Sequence, residues 1–217
     1  MIVSAIDIGS NSVRMLTMGE AGAETRREVE VTGLARGLDA SQLLSAQAVA
    51  ETEVVLERFA RLVAADGSEA IGVVATSASR DATNGPEVMK RFERILGVPP
   101  EVIGGTREAS LSFAGATAEL HGGSHVVVDI GGGSTEIVAG THVVTSTDSY
   151  DLASVRLTDR CSLRYPASSR KLVDPPEAVR SVLGNSKHPT STEVIGVAVT
   201  FTSLAGSVLG LDRYDRA

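Results

Sequence analysis

One eight-residue pattern occurs twice in this chain. Ala5-Ile6-Asp7-Ile8-Gly9-Ser10-Asn11-Ser12 and Val127-Val128-Asp129-Ile130-Gly131-Gly132-Gly133-Ser134 share the form apolar, apolar, Asp, Ile, Gly, two residues, Ser, and Asp129 stands 122 positions after Asp7. A pattern that returns at so long a period marks a duplicated structural unit. In each copy an apolar run precedes the aspartate and another follows the serine, over 13–18 in the first copy and 135–139 in the second. That order reads as strand, polar turn, strand. The halves are expected to meet near 119–124, at the turn-like His121-Gly122-Gly123-Ser124, giving a first lobe over 1–120 and a second over 124–217.

Between the two hairpins the periodicity changes. A third strand is expected over 27–38. A long helix is expected over 41–65, because Leu44, Ala48, Val49, Val55, Leu56, Phe59, Leu62 and Val63 recur at helical spacing and Asp39 or Ser41 can cap it. A strand over 70–75, a helix over 85–96 with Pro86 in its first turn, a strand over 100–103 and a helix over 106–118 complete the half. After the second hairpin a further strand is expected over 142–147. Hairpins followed by alternating helix and strand give the α/β class with a mixed sheet. The Pro- and Ser-rich stretch 165–189 is the least ordered-looking part and carries no recognisable chemistry.

Composition narrows the function classes. With 42% hydrophobic residues in 217, the chain can bury a substantial core, and 22 glycines with 3% aromatics point to tight turns around an aliphatic interior. A single cysteine, Cys161, excludes a disulfide framework and a Cys-based zinc cluster, so a reducing cytoplasm is expected. Neither a leader pattern nor an apolar run of membrane-spanning length is visible, so no membrane is expected. The net charge of -7 argues against a wide basic face for nucleic acid, while leaving room for a local phosphate site.

A Gly- and Ser-rich hairpin turn exposes successive peptide N–H groups that can cradle an anion, and a strand-terminal aspartate beside it can hold a divalent metal. Gly131-Gly132-Gly133 is not a dinucleotide fingerprint, since a strand follows it and no G-x-G-x-x-G is present, and no Lys follows to make a P-loop. Two such turns facing one another would clamp a chain of phosphates.

Four blocks in order make the pattern specific: Asp7-Ile8-Gly9-Ser10-Asn11-Ser12, then Ala75-Thr76-Ser77-Ala78-Ser79-Arg80-Asp81-Ala82-Thr83-Asn84, then Gly105-Thr106-Arg107-Glu108-Ala109, then Asp129-Ile130-Gly131-Gly132-Gly133-Ser134-Thr135-Glu136. With Ser154-Val155-Arg156-Leu157-Thr158-Asp159 and 196–204 as weaker continuations, the chain resembles the exopolyphosphatase and guanosine pentaphosphate phosphohydrolase family (Ppx/GppA). The resemblance implies an actin-like (ribonuclease H-like) duplicated α/β fold with two lobes and mixed sheets. It also implies magnesium-dependent release of terminal phosphate from inorganic polyphosphate or guanosine pentaphosphate. By position, Glu108 matches the general base. Asp129, with Asp7 and Glu136, matches the acids around the metal. Gly9, Ser10, Asn11 and Ser12, with Gly131, Gly132, Gly133 and Ser134, match the phosphate loops, and Arg80 matches a basic residue facing phosphate. Taken alone, Glu108 reads first as an acid favoured by a helix dipole, and Arg14 and, less so, Arg80 also read as surface ion-pair partners.

Departures from the family's pattern define the alternative. Leu152-Ala153 stands where Leu-Gly is usual, and Ala198-Val199-Thr200 stands where Gly-Gly-Thr or Ala-Gly-Thr is usual, with β-branched Val199 expected to be the worse at a positive φ. Gly33 replaces a common basic residue. Relatives continue past the position of Tyr214-Asp215, so the second lobe is expected to be incomplete. The alternative is a weakly active or non-catalytic binder of polyphosphate or guanosine alarmones. A sugar or acetate kinase of the same fold is disfavoured by the Glu108 block. Homodimerisation, and the choice between the two substrates, stay open. The histidines have no ligand spacing and are expected at the surface or at strand ends.

Overall fold

The structure, a computed structural model, describes residues 1–163, 174–184 and 193–211. His188, most of 165–189 and the Tyr214-Asp215 end lie outside the described residues. Backbone contacts divide the chain into two units, Met1–Gly104 and Gly105–Ala217.

In the first unit, β1 (Val3–Ile8) and β2 (Ser12–Met18) form the first repeated hairpin, antiparallel, with Asp7 opposite Arg14 and Ile8 opposite Val13. β3 (Glu24–Val31) extends the meander beyond β2. On the other side of β1, β4 (Ala70–Ala75) and β5 (Glu101–Val102) run parallel, giving the order β3-β2-β1-β4-β5. Alternation sets the buried face: Ser4, Ile6 and Ile8 on β1 lie opposite Thr17, Met15 and Val13 on β2, and all six are buried. The helices α2 (Ala46–Ala65) and α4 (Gly85–Leu96) pack together, α2 lies against β2, and between them they bury Val49, Leu56, Phe59, Val88 and Phe92.

The expected third strand over 27–38 ends at Val31, because Thr32 and Gly33 turn back and donate their N–H groups to Asn11 O at 3.0 and 2.9 Å. The long helix starts later than the capping pattern implied. Leu38–Ser41 forms a separate turn, α1, stopped by Gln42 at φ +58°, and Ser45 caps α2 by accepting the Ala48 N–H at 3.2 Å. A short helix, α3 (Ser77–Asp81), follows β4.

The second unit opens with α5 (Gly105–Thr117). β6 (His125–Ile130), β7 (Thr135–Gly140) and β8 (Val144–Tyr150) form an antiparallel meander, and β9 (Glu193–Val197) runs parallel to β6, giving β8-β7-β6-β9. This repeats β3-β2-β1-β4 of the first unit. The remaining helices are α6 (Ser154–Arg160), α7 (Asp174–Leu183) and α8 (Ala198–Val208). Ala109 and Phe113 of α5 form a core with Val127 and Val138, flanked by Ala116, Val144, Ile195 and Val197. For that reason the division falls after Gly104 and not at 119–124: α5, expected in the first lobe, packs on the second sheet. His125 begins β6 as a buried strand end, with Nε2 3.0 Å from Gly122 O and Nδ1 3.0 Å from Glu193 Oε2. Among the described residues no helix is long and apolar enough to cross a membrane.

Candidate active site

The two repeated turns close alike. Gly9 N donates to Ser12 O at 3.0 Å, and Gly131 N donates to Ser134 O at 3.1 Å. A Cβ on Gly9 would stand 2.9 Å from Ser12 O, and one on Gly131 would stand 3.3 Å from Ser134 O, so both glycines permit the closure.

In each turn the peptide carbonyls are held from one side. Ser10 O accepts from Ala35 N at 2.8 Å, and Asn11 O accepts from Thr32 and Gly33. In the second turn Gly131 O accepts from Ser154 N and Oγ, Gly132 O from Val155 N and Arg156 N, and Gly133 O from Arg156 Nε at 2.5 Å. Across a trans peptide the C=O of one residue and the N–H of the next point in opposite directions. Pinning these carbonyls therefore turns the N–H groups of Asn11 and Ser12, and of Gly132, Gly133 and Ser134, away from the supporting segments. Successive outward N–H groups are an anion cradle. Ser10 contributes only backbone to its cradle, because its buried hydroxyl is 2.8 Å from Ser77 Oγ and accepts the Ala78 N–H at 3.2 Å. One hydroxyl thus ties the first turn to α3, which carries Arg80. The Arg80 guanidinium donates to Ile103 O at 2.8 Å and lies 3.6 Å from Asp81.

The aspartates sit at equivalent places with opposite neighbours. Asp7 faces Arg14 across the hairpin, with Nη1 to Oδ2 at 3.3 Å. Asp129 faces Glu136 in the same register, so the second unit sets two carboxylates side by side on one sheet face. Like charges directly opposed are destabilising unless a cation or hydrogen bonds answer them. Each has a hydroxyl donor: Ser112 Oγ to Asp129 Oδ2 at 2.6 Å, and Ser149 Oγ to Glu136 Oε1 at 2.9 Å. Glu136 is 2% exposed. Among the described residues no three His, Cys, Asp or Glu side chains form a metal set. An Asp–Glu pair suits an ion such as magnesium, which takes one or two carboxylates and fills its remaining positions with water and substrate oxygens.

Glu108 lies in the first turn of α5, half-buried, where the helix dipole favours negative charge. The helix start is seated closely, since a Cβ on Gly105 would meet Ser149 Oγ at 2.8 Å. One turn beyond Glu108, Ser112 reaches Asp129. The second unit therefore gathers the base candidate, the acidic pair and the triple-glycine turn, while the first holds Asp7, the Ser-Asn turn and Arg80. Sequence reasoning missed Ser112, Ser149, Ser77 and the loop-bracing side of Arg156. Ser112 had a signal in its i+4 spacing from Glu108; Ser149 had none, because its role depends on the β7–β8 register.

The departures resolve differently from expectation. Ala153 is in ordinary extended backbone, φ -165°, so its Cβ strains nothing. Val199 lies inside α8, and the positive φ falls on Ala198, at +69°. Gly33 has φ +61°, and a Cβ there would meet Arg36 Nη2 at 2.5 Å, so the Arg36 guanidinium fills the space a side chain at 33 would enter.

The model of the Ppx/GppA phosphatase family matches residues 22–210. The chain belongs to the Ppx/GppA phosphatase family. Among curated Ppx/GppA relatives, Exopolyphosphatase 2 of Mycobacterium tuberculosis is 36% identical over an alignment 234 positions long, covering 99% of this chain and 73% of that protein. The crystal structure of an exopolyphosphatase-like protein superposes with a TM-score of 0.85 at 33% identity, over 100% of this chain and 71% of the other. The crystal structure of the Aquifex aeolicus Ppx/GppA family member gives 0.75 at 30% identity, over 99% and 72%. The fold is the duplicated actin-like α/β fold of this family, with two mixed sheets.

Proposed function

We propose that this chain is a phosphoanhydride hydrolase that removes the terminal phosphate of inorganic polyphosphate, with guanosine pentaphosphate as the second substrate to be tried. The observation that carries the reading is the second unit's constellation: three N–H groups turned outward by braced carbonyls, an Asp–Glu pair beside them held by Ser112 and Ser149, and Glu108 on the helix whose Ser112 donates to Asp129. Family membership and the relative named an exopolyphosphatase support the substrate class.

Phosphoryl transfer asks the protein mainly for position and for charge stabilisation. The braced N–H groups bind the terminal phosphate oxygens and fix their orientation. Glu108 takes the proton from the attacking water as the new O–P bond forms. The P–O bond to the remaining chain breaks, and that chain leaves one phosphate shorter with the bridging oxygen. Asp129 and Glu136 would hold magnesium, which supplies neutralising charge at the phosphate oxygens.

The test is phosphate release from long-chain polyphosphate and from guanosine pentaphosphate, with and without magnesium. Glu108→Gln is expected to keep polyphosphate affinity by calorimetry and to lose turnover by about 100-fold or more, the scale of a general base. Equal turnover in wild type and variant removes Glu108 from the mechanism. Binding without release by the wild type replaces the hydrolase with a binder.

A further inference from the structure

We infer that Ser112 is a positioning residue for Asp129: its hydroxyl holds one carboxylate oxygen to the helix that carries Glu108, so that the other oxygen is presented in a single orientation. Ser112 Oγ donates to Asp129 Oδ2 at 2.6 Å, a length typical of a charge-assisted O–H···O bond. Oδ1 of Asp129 has no protein partner among the described residues. The donor comes from α5 and the acceptor from β6, and four residues separate Glu108 from Ser112, so both side chains rise from the same helix face one turn apart. Ala109 and Phe113, the residues immediately after each, are buried in the core against Val127 and Val138. The helix therefore cannot roll without opening that core, and both the core and the Ser112–Asp129 hydrogen bond hold α5 to β6.

The hydrogen bond does more than fasten a helix. Asp129 stands directly across the hairpin from Glu136. Two carboxylates in that relation repel and, unheld, would rotate apart. Ser112 and Ser149 each take one oxygen, one per acid, from two different elements. Hydrogen bonds of this kind orient carboxylates that bind cations, and their loss typically costs 10- to 100-fold in metal affinity or activity.

The activity arm of the test rests on the hydrolase reading; the metal arm does not. Ser112→Ala and Ser112→Thr are compared with wild type by titration with Mn2+ followed by electron paramagnetic resonance, by thermal midpoint, and by kcat and KM for polyphosphate. Ser112→Ala is expected to weaken Mn2+ binding by about 10-fold or more and to lower kcat by a similar factor, with KM little changed and Ser112→Thr restoring both. If the Ala variant does not fold, Ser112→Cys, a similar shape with a weak donor, is read in its place. Mn2+ affinity equal in wild type and variant, no Mn2+ binding to wild type, or activity that falls only in step with the thermal midpoint overturns the inference. A wild type that releases no phosphate while its Mn2+ affinity still depends on Ser112 overturns the hydrolase reading and leaves the positioning role standing.

Discussion

At Ala198 the chain enters α8 through φ +69°, a region that costs an L-residue roughly 1–2 kcal/mol. Its neighbour Val199 is helical and unstrained. The position that looked worst from side-chain shape is therefore harmless, because steric cost follows the backbone dihedral and not the bulk of the side chain. Ala198→Gly should raise the unfolding free energy of the second unit by roughly 0.5–1 kcal/mol, after allowing for the extra freedom glycine has in the unfolded chain. Val199→Gly should do the reverse, losing roughly 0.3–0.5 kcal/mol of helix propensity. Urea denaturation of both variants decides the matter, and a stabilising Val199→Gly would reverse the assignment. The same distinction governs the site. Glu108, Asp129 and the glycine turns could be picked out as candidates because the residue types that the proposed chemistry can use are few. Ser112 and Ser149 could not, since a serine in a helix or strand is unremarkable until the fold supplies its acceptor.

Among the elements, α2 shows how far periodicity reaches. Its apolar stripe was legible over several turns, but its start was misplaced by a few residues. The Asn84 side chain holds both backbone groups of Leu44, at 2.9 Å each, so the chain turns there and Ser45 becomes the cap. No local pattern announces a partner forty residues away. The other end of α2 is fixed by Asp66, which receives Arg26 Nε and Nη2 at 2.8 Å each and Thr17 Oγ1 at 3.2 Å. The Arg26 hydrogen bonds, with smaller help from Thr17, hold the Asp66 carboxyl below its ordinary range against the opposing effect of burial. A group with a depressed folded value stabilises the fold above its unfolded value, about 4 for aspartate, and the stabilisation is lost as pH falls through the folded value. Asp66→Asn should therefore lower the urea midpoint at pH 7, and the gap to wild type should close as the pH is taken below about 4. A gap of constant size from neutral to strongly acid pH would show that the ionised carboxylate is not the stabilising species.

For the whole molecule, the duplication was legible because it is written in residue identity, and the repeated order β8-β7-β6-β9 against β3-β2-β1-β4 bears it out. The seam was not. Ala109 and Phe113 announce that 105–117 is amphipathic, yet an amphipathic stripe does not say which sheet it covers, and the glycines at 122 and 123 offered a more obvious turn. The structure gives α5 to the second unit, and that assignment has a consequence for cooperativity. Phe113 is buried against Val127 and Val138, whereas Phe92 is buried in the first unit. Removing either ring should cost about 3–5 kcal/mol, but in different units. Phe113→Ala should speed hydrogen exchange across α5, β6 and β7 and leave β1, β2 and β4 protected, and Phe92→Ala should do the converse. If Phe113→Ala loosened the first sheet as much as the second, α5 would belong to the first unit and the seam would return to the glycine turn.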